Sequence, residues 1–177
     1  QAEKLAISSR AFYTEPFGEY IEKLSKLSGF ESILPMNTGA EAVETAIKAA
    51  RRWGYFTKGI EENSAEIIVA EGNFHGRTTT IVGFSSEADY KKGFGPFANG
   101  FVQADYCNTN CNCSKICEKS IQSIKNLINK NTCAVLVEPI QGEGGIITPQ
   151  DGWLKQLRAL CDENNILLIL DEIQSGL

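Results

Sequence analysis

Apolar residues in the stretch 43–53 recur at the spacing of a helix face. They fall at positions i, i+3, i+4, i+7 and i+10: Val43, Ala46, Ile47, Ala50 and Trp53. This single apolar stripe predicts an amphipathic helix, with Gly54 and Gly59 bracketing its end. Similar patterns predict three further helices, over about residues 15–27, 119–128 and 153–163.

Other apolar runs lack the helical spacing and predict strands. They cover residues 66–70, 132–137 and 166–170. The last run, Ile166 to Leu170, is unbroken, and this predicts a strand buried on both faces of a parallel sheet. Helices that alternate with buried strands are typical of a doubly wound α/β fold with a mainly parallel sheet.

The composition narrows the classes of partner. The 177 residues are 42% hydrophobic and 22% charged, which suffices for one sizeable core. A net charge of −5 without a basic block argues against nucleic acid or an anionic membrane as the main partner. No apolar stretch approaches the roughly 20 residues that a membrane-spanning helix needs.

An acidic residue, Asp171, ends the last predicted strand, and Glu172 and Gln174 follow closely. Open α/β sheets bind ligands at the carboxyl ends of their strands. A carboxylate is costly to bury there unless a cation or a strong donor meets it, and a protonated ring nitrogen would serve. The alternative is that Asp171 only caps the segment that follows.

A second polar group, Phe-His-Gly-Arg at 74–77, follows the first predicted strand. The Phe74 ring can stack on a planar cofactor, and the Arg77 guanidinium can bind a carboxylate through two hydrogen bonds. The alternative is a packed turn with a solvated arginine. His75, the only histidine, excludes a multi-histidine metal site. A lone histidine beside an aromatic is more often a packing residue than an acid or base.

Two more segments suit a ligand. Asn-Thr-Gly-Ala at 37–40 leads into a helix, and its unpaired N–H groups would suit a phosphate, with Thr38 as cap or hydroxyl donor. A plain N-cap without a ligand is the alternative. Residues 138–145 contain two carboxylates and three glycines, which indicate a loop close to a ligand; an ordinary glycine-rich surface loop is the alternative. Together, the segments predict one shared site.

In this order, the segments resemble the motifs of class III pyridoxal-phosphate aminotransferases, which have the type I fold. The motifs are Asn-Thr-Gly-Ala-Glu-Ala (37–42), Asn-Phe-His-Gly-Arg-Thr (73–78), Glu-Pro-Ile-Gln-Gly-Glu (138–143) and Leu-Asp-Glu-Ile-Gln (170–174). The resemblance makes residues 1–177 the central part of the cofactor-binding large domain. Residues 34–39, 52–55 and 93–97 look most like ornithine aminotransferases, whereas acetylornithine and 4-aminobutyrate aminotransferases share most of the catalytic motifs.

The resemblance implies how the cofactor, pyridoxal 5'-phosphate, would be bound. Backbone N–H groups at the helix start would bind its phosphate, and an aromatic ring would stack on its pyridine. A carboxylate would pair with the protonated ring nitrogen, and an amide would bind the phenolic oxygen. The residues at the matching positions are Thr38, Gly39, Ala40, Phe74, Asp171 and Gln174.

The resemblance also implies the reaction and the partners. The δ-amino group of ornithine would pass to 2-oxoglutarate, giving glutamate semialdehyde and glutamate, in a homodimer. Arg77 would bind a substrate carboxylate, and Glu143 would shield a downstream arginine, so that one site accepts a basic and then an acidic substrate. Asp171 and Gln174 complete the implied catalytic set. Glu138 would support its loop.

One residue that the resemblance requires is not in the printed sequence. The family's catalytic lysine follows the aspartate, but none of the 12 lysines lies beyond Lys155. We therefore expect these 177 residues alone not to transaminate. The alternative outside enzymology is a redox-sensitive module that binds a phosphate ligand.

Four of the six cysteines cluster in an apparent insertion at 105–118: Cys107, Cys111, Cys113 and Cys117. A chain long enough to form a core favours free thiols in a reducing compartment, the cytoplasm or alternatively the mitochondrial matrix. The spacing of these cysteines differs from the paired Cys-x2-Cys motifs of zinc sites, so we expect no bound metal. The cluster is either a redox-sensitive pair that exchanges disulfides with a thioredoxin-like partner or a loop with free cysteines.

Overall fold

A computed structural model describes residues 12–107 and 116–176, without the side chains of Ile116 and Cys117. The chain divides after Pro35 into two compact units. The first contains helix α1, Glu15–Ser28, which has a proline in its first turn and ends at Gly29. Gly29 adopts a left-handed φ of 75° and its N–H donates to the Ser25 carbonyl. The predicted first helix and its glycine stop are confirmed.

The second unit is built on a four-stranded sheet in which every pairing is parallel. Its strands are β1 (Glu66–Ala70), β2 (Phe101–Ala104), β3 (Thr132–Val137) and β4 (Leu167–Leu170). Their spatial order is β2-β1-β3-β4, so the central strands are β1 and β3. The predicted α/β fold with a mainly parallel sheet is confirmed.

Helices cover both faces of this sheet. They are α2 (Gly39–Trp53, continued by a π-helical turn at Gly54–Lys58), α3 (Thr79–Gly83), α4 (Ala88–Lys91), α5 (Ile116–Leu127) and α6 (Trp153–Glu163). Helices α2 and α3 pack in one apolar cluster, and α5 and α6 pack in another, on the opposite face. Among the described residues, no helix combines the length and the apolar character needed to cross a membrane.

Helix α2 begins where its sequence favours a start. The Thr38 hydroxyl accepts a hydrogen bond from the Glu41 N–H at 3.1 Å, and the Glu41 carboxylate accepts one from the Asn37 N–H at 2.9 Å. Val43 and Ile47 on the predicted stripe are buried against the sheet. The helix predicted from the apolar spacing is confirmed.

The prediction that residues 166–170 are buried on both faces is wrong. Strand β4 lies at the edge of the described sheet, so only one side of it has a neighbouring strand. Leu167, Leu168 and Ile169 are half-buried, and Leu170 is 40% exposed. Sequence reasoning also missed β2, α3 and α4. These segments have only four or five residues and, unlike β1 and β4, none contains an unbroken apolar run of more than two residues.

The connections open a crevice at the carboxyl edge of the sheet. Strand β1 leads into α3 on one face, whereas its neighbour β3 leads into α6 on the other. Such a reversal between adjacent parallel strands is where open α/β sheets bind their ligands. The fold therefore places a candidate site between the ends of β1 and β3.

Trp153 is the largest fully buried side chain of the second unit. Its indole N–H donates to the Ser120 hydroxyl at 3.2 Å, and its ring meets the Tyr106 ring edge-on at 5.1 Å. Because Trp153→Ala removes a buried ring, we expect the free energy of unfolding to fall by about 3–5 kcal/mol. Urea unfolding measures this. Lys155→Ala, an exposed change on the same helix, should stay within about 0.5 kcal/mol, and equal midpoints for both variants would contradict the packing described.

Candidate active site

Residues of three predicted ligand-binding segments gather where three neighbouring strands end. Phe74 and His75 follow β1, Glu138 follows β3 and Asp171 follows β4. Because β1, β3 and β4 are adjacent and parallel, these residues share one edge of the sheet. Hydrogen bonds of His75 and Glu138 join all three loops.

The Asp171 carboxylate is buried and is met by His75. Its Oδ2 lies 2.7 Å from the His75 Nδ1, and the two side chains are 6% and 0% exposed. Its Oδ1 accepts a hydrogen bond from the Ile173 N–H at 3.2 Å. Asp171 thus receives the strong donor that its burial requires and also caps the segment that follows.

His75 has a polar contact that sequence reasoning did not assign. It is buried, as a packing residue would be, yet its Nδ1 bonds to Asp171, and its Nε2 has no partner among the described residues. A histidine whose Nδ1 is engaged by a carboxylate is fixed in ring orientation. His75 therefore orients the Asp171 carboxylate. No pattern in the sequence links residues 96 positions apart.

Glu138 joins the loop after β3 to the loop after β1. Its Oε2 accepts a hydrogen bond from the Phe74 N–H at 3.0 Å, and its Oε1 accepts one from the Gly142 N–H at 3.4 Å. Burial raises the pKa of the Glu138 carboxyl, an effect that these N–H groups and His75 oppose and the nearby Asp171 reinforces. As expected, Glu138 supports its loop.

The segment after β4 lies against the same loop. The Gln174 side-chain amide donates to the Glu143 carboxylate at 3.4 Å. A Cβ added at Gly142 would overlap the Gln174 Oε1 atom, so this close approach requires glycine. Gln174 and Glu143, assigned to cofactor and substrate by the resemblance, are therefore neighbours.

The N-terminus of α2 adjoins this edge of the sheet. A Cβ added at Gly39 would lie 2.8 Å from the Ile173 Cγ1, and one added at Gly76 would lie 3.0 Å from the Ala40 Cβ. The N–H groups of Gly39 and Ala40 begin a 15-residue helix and have no acceptor within it. The helix dipole favours an anion at this position.

The structure thus brings together the residues that the resemblance singled out, on adjoining segments. They are Thr38, Gly39, Ala40, Phe74, Arg77, Glu143, Asp171 and Gln174. Their roles toward a ligand remain predictions. Together these residues supply anion-binding N–H groups, an aromatic ring, a buried carboxylate and an exposed arginine. Such groups suit a ligand with a phosphate and a planar ring that contains a basic nitrogen.

The cysteines differ in part from what we expected. Cys107 is disulfide-bonded, so the expectation of free thiols is wrong there, whereas Cys133 and Cys161 are free and buried. The predicted insertion at 105–118 lies mostly outside the described residues, as do Cys111, Cys113 and the side chain of Cys117. Within the described residues, no cluster of metal-binding side chains occurs.

The sequence of the chain matches a known protein family over its whole printed length. Residues 1–177 match the family model described as aminotransferase class III. The chain belongs to the class III aminotransferase family, and its fold is the type I fold of pyridoxal-phosphate enzymes. Pyridoxal phosphate is the cofactor of this family.

Within the family, the chain is similar to ornithine aminotransferases. It is 55% identical over 177 residues to ornithine aminotransferase 2 of Staphylococcus aureus (strain MRSA252) and spans 42% of that protein. The solved ornithine aminotransferase of Toxoplasma gondii, whose structure shows partial occupancy of pyridoxal phosphate, superposes with a TM-score of 0.88 at 40% sequence identity. The superposition covers 99% of this chain and 39% of that protein chain. The acetylornithine aminotransferase of Elizabethkingia anophelis has a TM-score of 0.76 at 49% identity, with 99% of this chain on 40% of that one.

The raised pKa of Glu138 predicts a pH-dependent stability. The folded carboxyl holds its proton more tightly than the unfolded one, for which the ordinary pKa is 4.5. Between the ordinary and the raised pKa the folded state binds more protons, so the free energy of unfolding falls as the pH rises through that window. Glu138→Gln removes the titrating group, and as the pH rises above the ordinary pKa of 4.5 the variant should lose less stability than the wild type.

Urea unfolding at a series of pH values measures both slopes. Glu62→Gln, a change at an exposed turn, is the matched control and should follow the wild type. Parallel curves for Glu138→Gln and the wild type would contradict the raised pKa of Glu138, because the variant would then have the same pH dependence of stability as the wild type.

Proposed function

We propose that the protein containing this chain is an ornithine aminotransferase, which transfers the δ-amino group of ornithine to 2-oxoglutarate. The observation that carries the proposal is the buried Asp171 carboxylate, held by His75 at the end of β4. The likeness to ornithine aminotransferases supports the substrates. The chain spans 42% of the curated relative, so the activity is proposed for the whole protein.

The described residues fit pyridoxal phosphate at this site. Among the described residues, Asp171 is buried with only His75 and one backbone N–H as partners, and a carboxylate in such a place favours a protonated ring nitrogen. The unpaired N–H groups of Gly39 and Ala40 suit a phosphate. Phe74, half-buried beside Asp171's partner His75, offers the ring for stacking.

Each residue then has a physical task. Bound here, pyridoxal phosphate supplies an electron sink for the negative charge that develops at the amino-bearing carbon. Asp171 holds a proton on the ring nitrogen, because its negative charge in a buried site raises the nitrogen's basicity. His75 keeps that carboxylate in place, Phe74 covers one face of the ring, and Gln174 donates a hydrogen bond to the phenolic oxygen.

Substrate binding falls to Arg77 and Glu143 in this proposal. Arg77 binds a carboxylate of the substrate through its planar guanidinium. Glu143 shields an arginine elsewhere in the whole protein while ornithine is bound and releases that arginine for 2-oxoglutarate.

Acetylornithine and 4-aminobutyrate are the alternative amino donors. The 49% identity to an acetylornithine aminotransferase favours testing acetylornithine first. Rates of glutamate formation from the three donors decide between them; ornithine should give the highest kcat/KM.

We further propose that residues 1–177 alone do not transaminate, because their last lysine is Lys155 and none follows Asp171. The lysine that would hold the cofactor aldehyde and move the proton must then come from outside them. Borohydride reduction with pyridoxal phosphate, followed by peptide mapping, tests this. One specific labelled lysine within the 177 residues would overturn it.

A homodimer is the proposed assembly of the whole protein. Several large apolar side chains of the second unit are exposed, and such surfaces are typical of sites covered by other protein: Phe56, Phe94, Ile140, Ile146, Leu170 and Ile173. Light scattering of the full-length protein should give twice the monomer mass, and a monomer would contradict the proposal.

A thioredoxin-like partner is proposed at Cys107, Cys111, Cys113 and Cys117. Its dithiol would reduce the disulfide of Cys107 and would itself be oxidised to a disulfide. The Cys107 sulfur accepts a hydrogen bond from the Gln150 N–H at 3.3 Å, which links it to the end of the loop that begins at Glu138. Equal activity of the full-length enzyme with and without dithiothreitol would exclude this redox partner.

We propose the cytoplasm as the compartment of the protein, with the mitochondrial matrix as the alternative. Cell fractionation tests this proposal.

Asp171→Asn tests the central role in the reaction. The variant retains size and shape but loses the charge that holds the ring-nitrogen proton, so kcat of the full-length enzyme should fall by about 100-fold or more. Ornithine-dependent glutamate formation measures the rate, and an absorbance titration measures cofactor binding separately. Asp151→Asn, at an exposed turn, should retain the wild-type rate. An Asp171→Asn rate within about threefold of the wild type would contradict the assignment.

A further inference from the structure

The Arg77 guanidinium lies beside two aromatic rings. Its Cζ atom is 5.7 Å from the centroid of the Phe74 ring and 5.2 Å from the centroid of the Tyr90 ring. The two rings meet edge to face, with centroids 6.1 Å apart and planes at 74°. A guanidinium is attracted to an aromatic face within about 6 Å. Tyr90, on α4, therefore contacts both Arg77 and the ring proposed to stack on the cofactor.

These contacts leave the hydrogen-bond donors of Arg77 available. A planar guanidinium stacks through its face, while its N–H groups point outward in the plane. Within the described part of the chain, Arg77 forms no ion pair with a carboxylate. It borders a cavity of about 320 Å³, a volume that suits a small ligand. The lining residues are Arg77, Thr79, Val82, Asp89, Tyr90 and Phe94.

We propose that Tyr90 is a positioning residue, which holds the Arg77 guanidinium in the orientation that binds the substrate carboxylate. The inference rests on the proposed function, in which Arg77 binds that carboxylate. Arg77 is exposed and its side chain is long, so without a second ring it would sample several rotamers. Two-point binding of a carboxylate requires one of them.

The test compares Tyr90→Leu with Tyr90→Phe in the full-length enzyme with its cofactor. Leucine keeps apolar bulk but has no ring, so KM for 2-oxoglutarate and the inhibition constant of glutarate, a non-reacting dicarboxylate, should rise about tenfold. The kcat value should change less. Phenylalanine keeps the ring face and should restore both constants to within about twofold of the wild type. Lys92→Ala, an exposed change next to α4, controls for the loop.

A double-mutant cycle separates positioning from general packing. In an Arg77→Lys background there is no planar guanidinium to hold, so Tyr90→Leu should have no further effect on the glutarate constant. If Tyr90→Leu weakens glutarate binding equally in both backgrounds, the proposal is overturned. It is also overturned if the Tyr90→Leu enzyme has wild-type constants, or if the Tyr90→Phe enzyme is as impaired as Tyr90→Leu. If Arg77→Lys itself leaves glutarate binding unchanged, or the wild type does not use ornithine, the proposed function fails instead.

Discussion

Burial of two carboxylates at one edge of the sheet is the constraint on which the site depends. Asp171 and Glu138 both lie where water is largely excluded, and a charge there is costly without donors. Each receives one donor from the loop after β1: His75 bonds to Asp171, and the Phe74 N–H bonds to Glu138. The polar contacts therefore tie the loops after β1, β3 and β4 into one body.

The parallel sheet makes that arrangement possible. Because β1, β3 and β4 are neighbours, residues far apart in the chain leave the sheet at the same edge. The helices that follow β1 and β3 lie on opposite faces of the sheet, which opens a crevice between these two strands. Two glycines then allow close approach: Gly39 brings the start of α2 against Ile173, and Gly142 lets Gln174 lie against the loop after β3. Stability and the shape of the site thus have a common origin.

Sequence alone predicts the parts of this structure that repeat over many residues. The apolar stripe of α2 and the apolar run of β3 extend over several residues each, so the type and approximate bounds of both elements follow from their apolar patterns. The edge position of β4, the short α4 and the contact between His75 and Asp171 depend on tertiary packing, which no local pattern encodes. The residues of the site were found through their motifs, but Tyr90 lies in a segment without one.

The most direct test of the account is the structure of the full-length protein crystallised with pyridoxal phosphate. The account predicts the ring nitrogen within about 3 Å of an Asp171 carboxylate oxygen, with His75 still bonded to the other side of that carboxylate. The phosphate should accept hydrogen bonds from the N–H groups at the start of α2, and Phe74 should lie over the ring. A cofactor bound away from this edge of the sheet, or a ring nitrogen directed away from Asp171, would contradict the central claim.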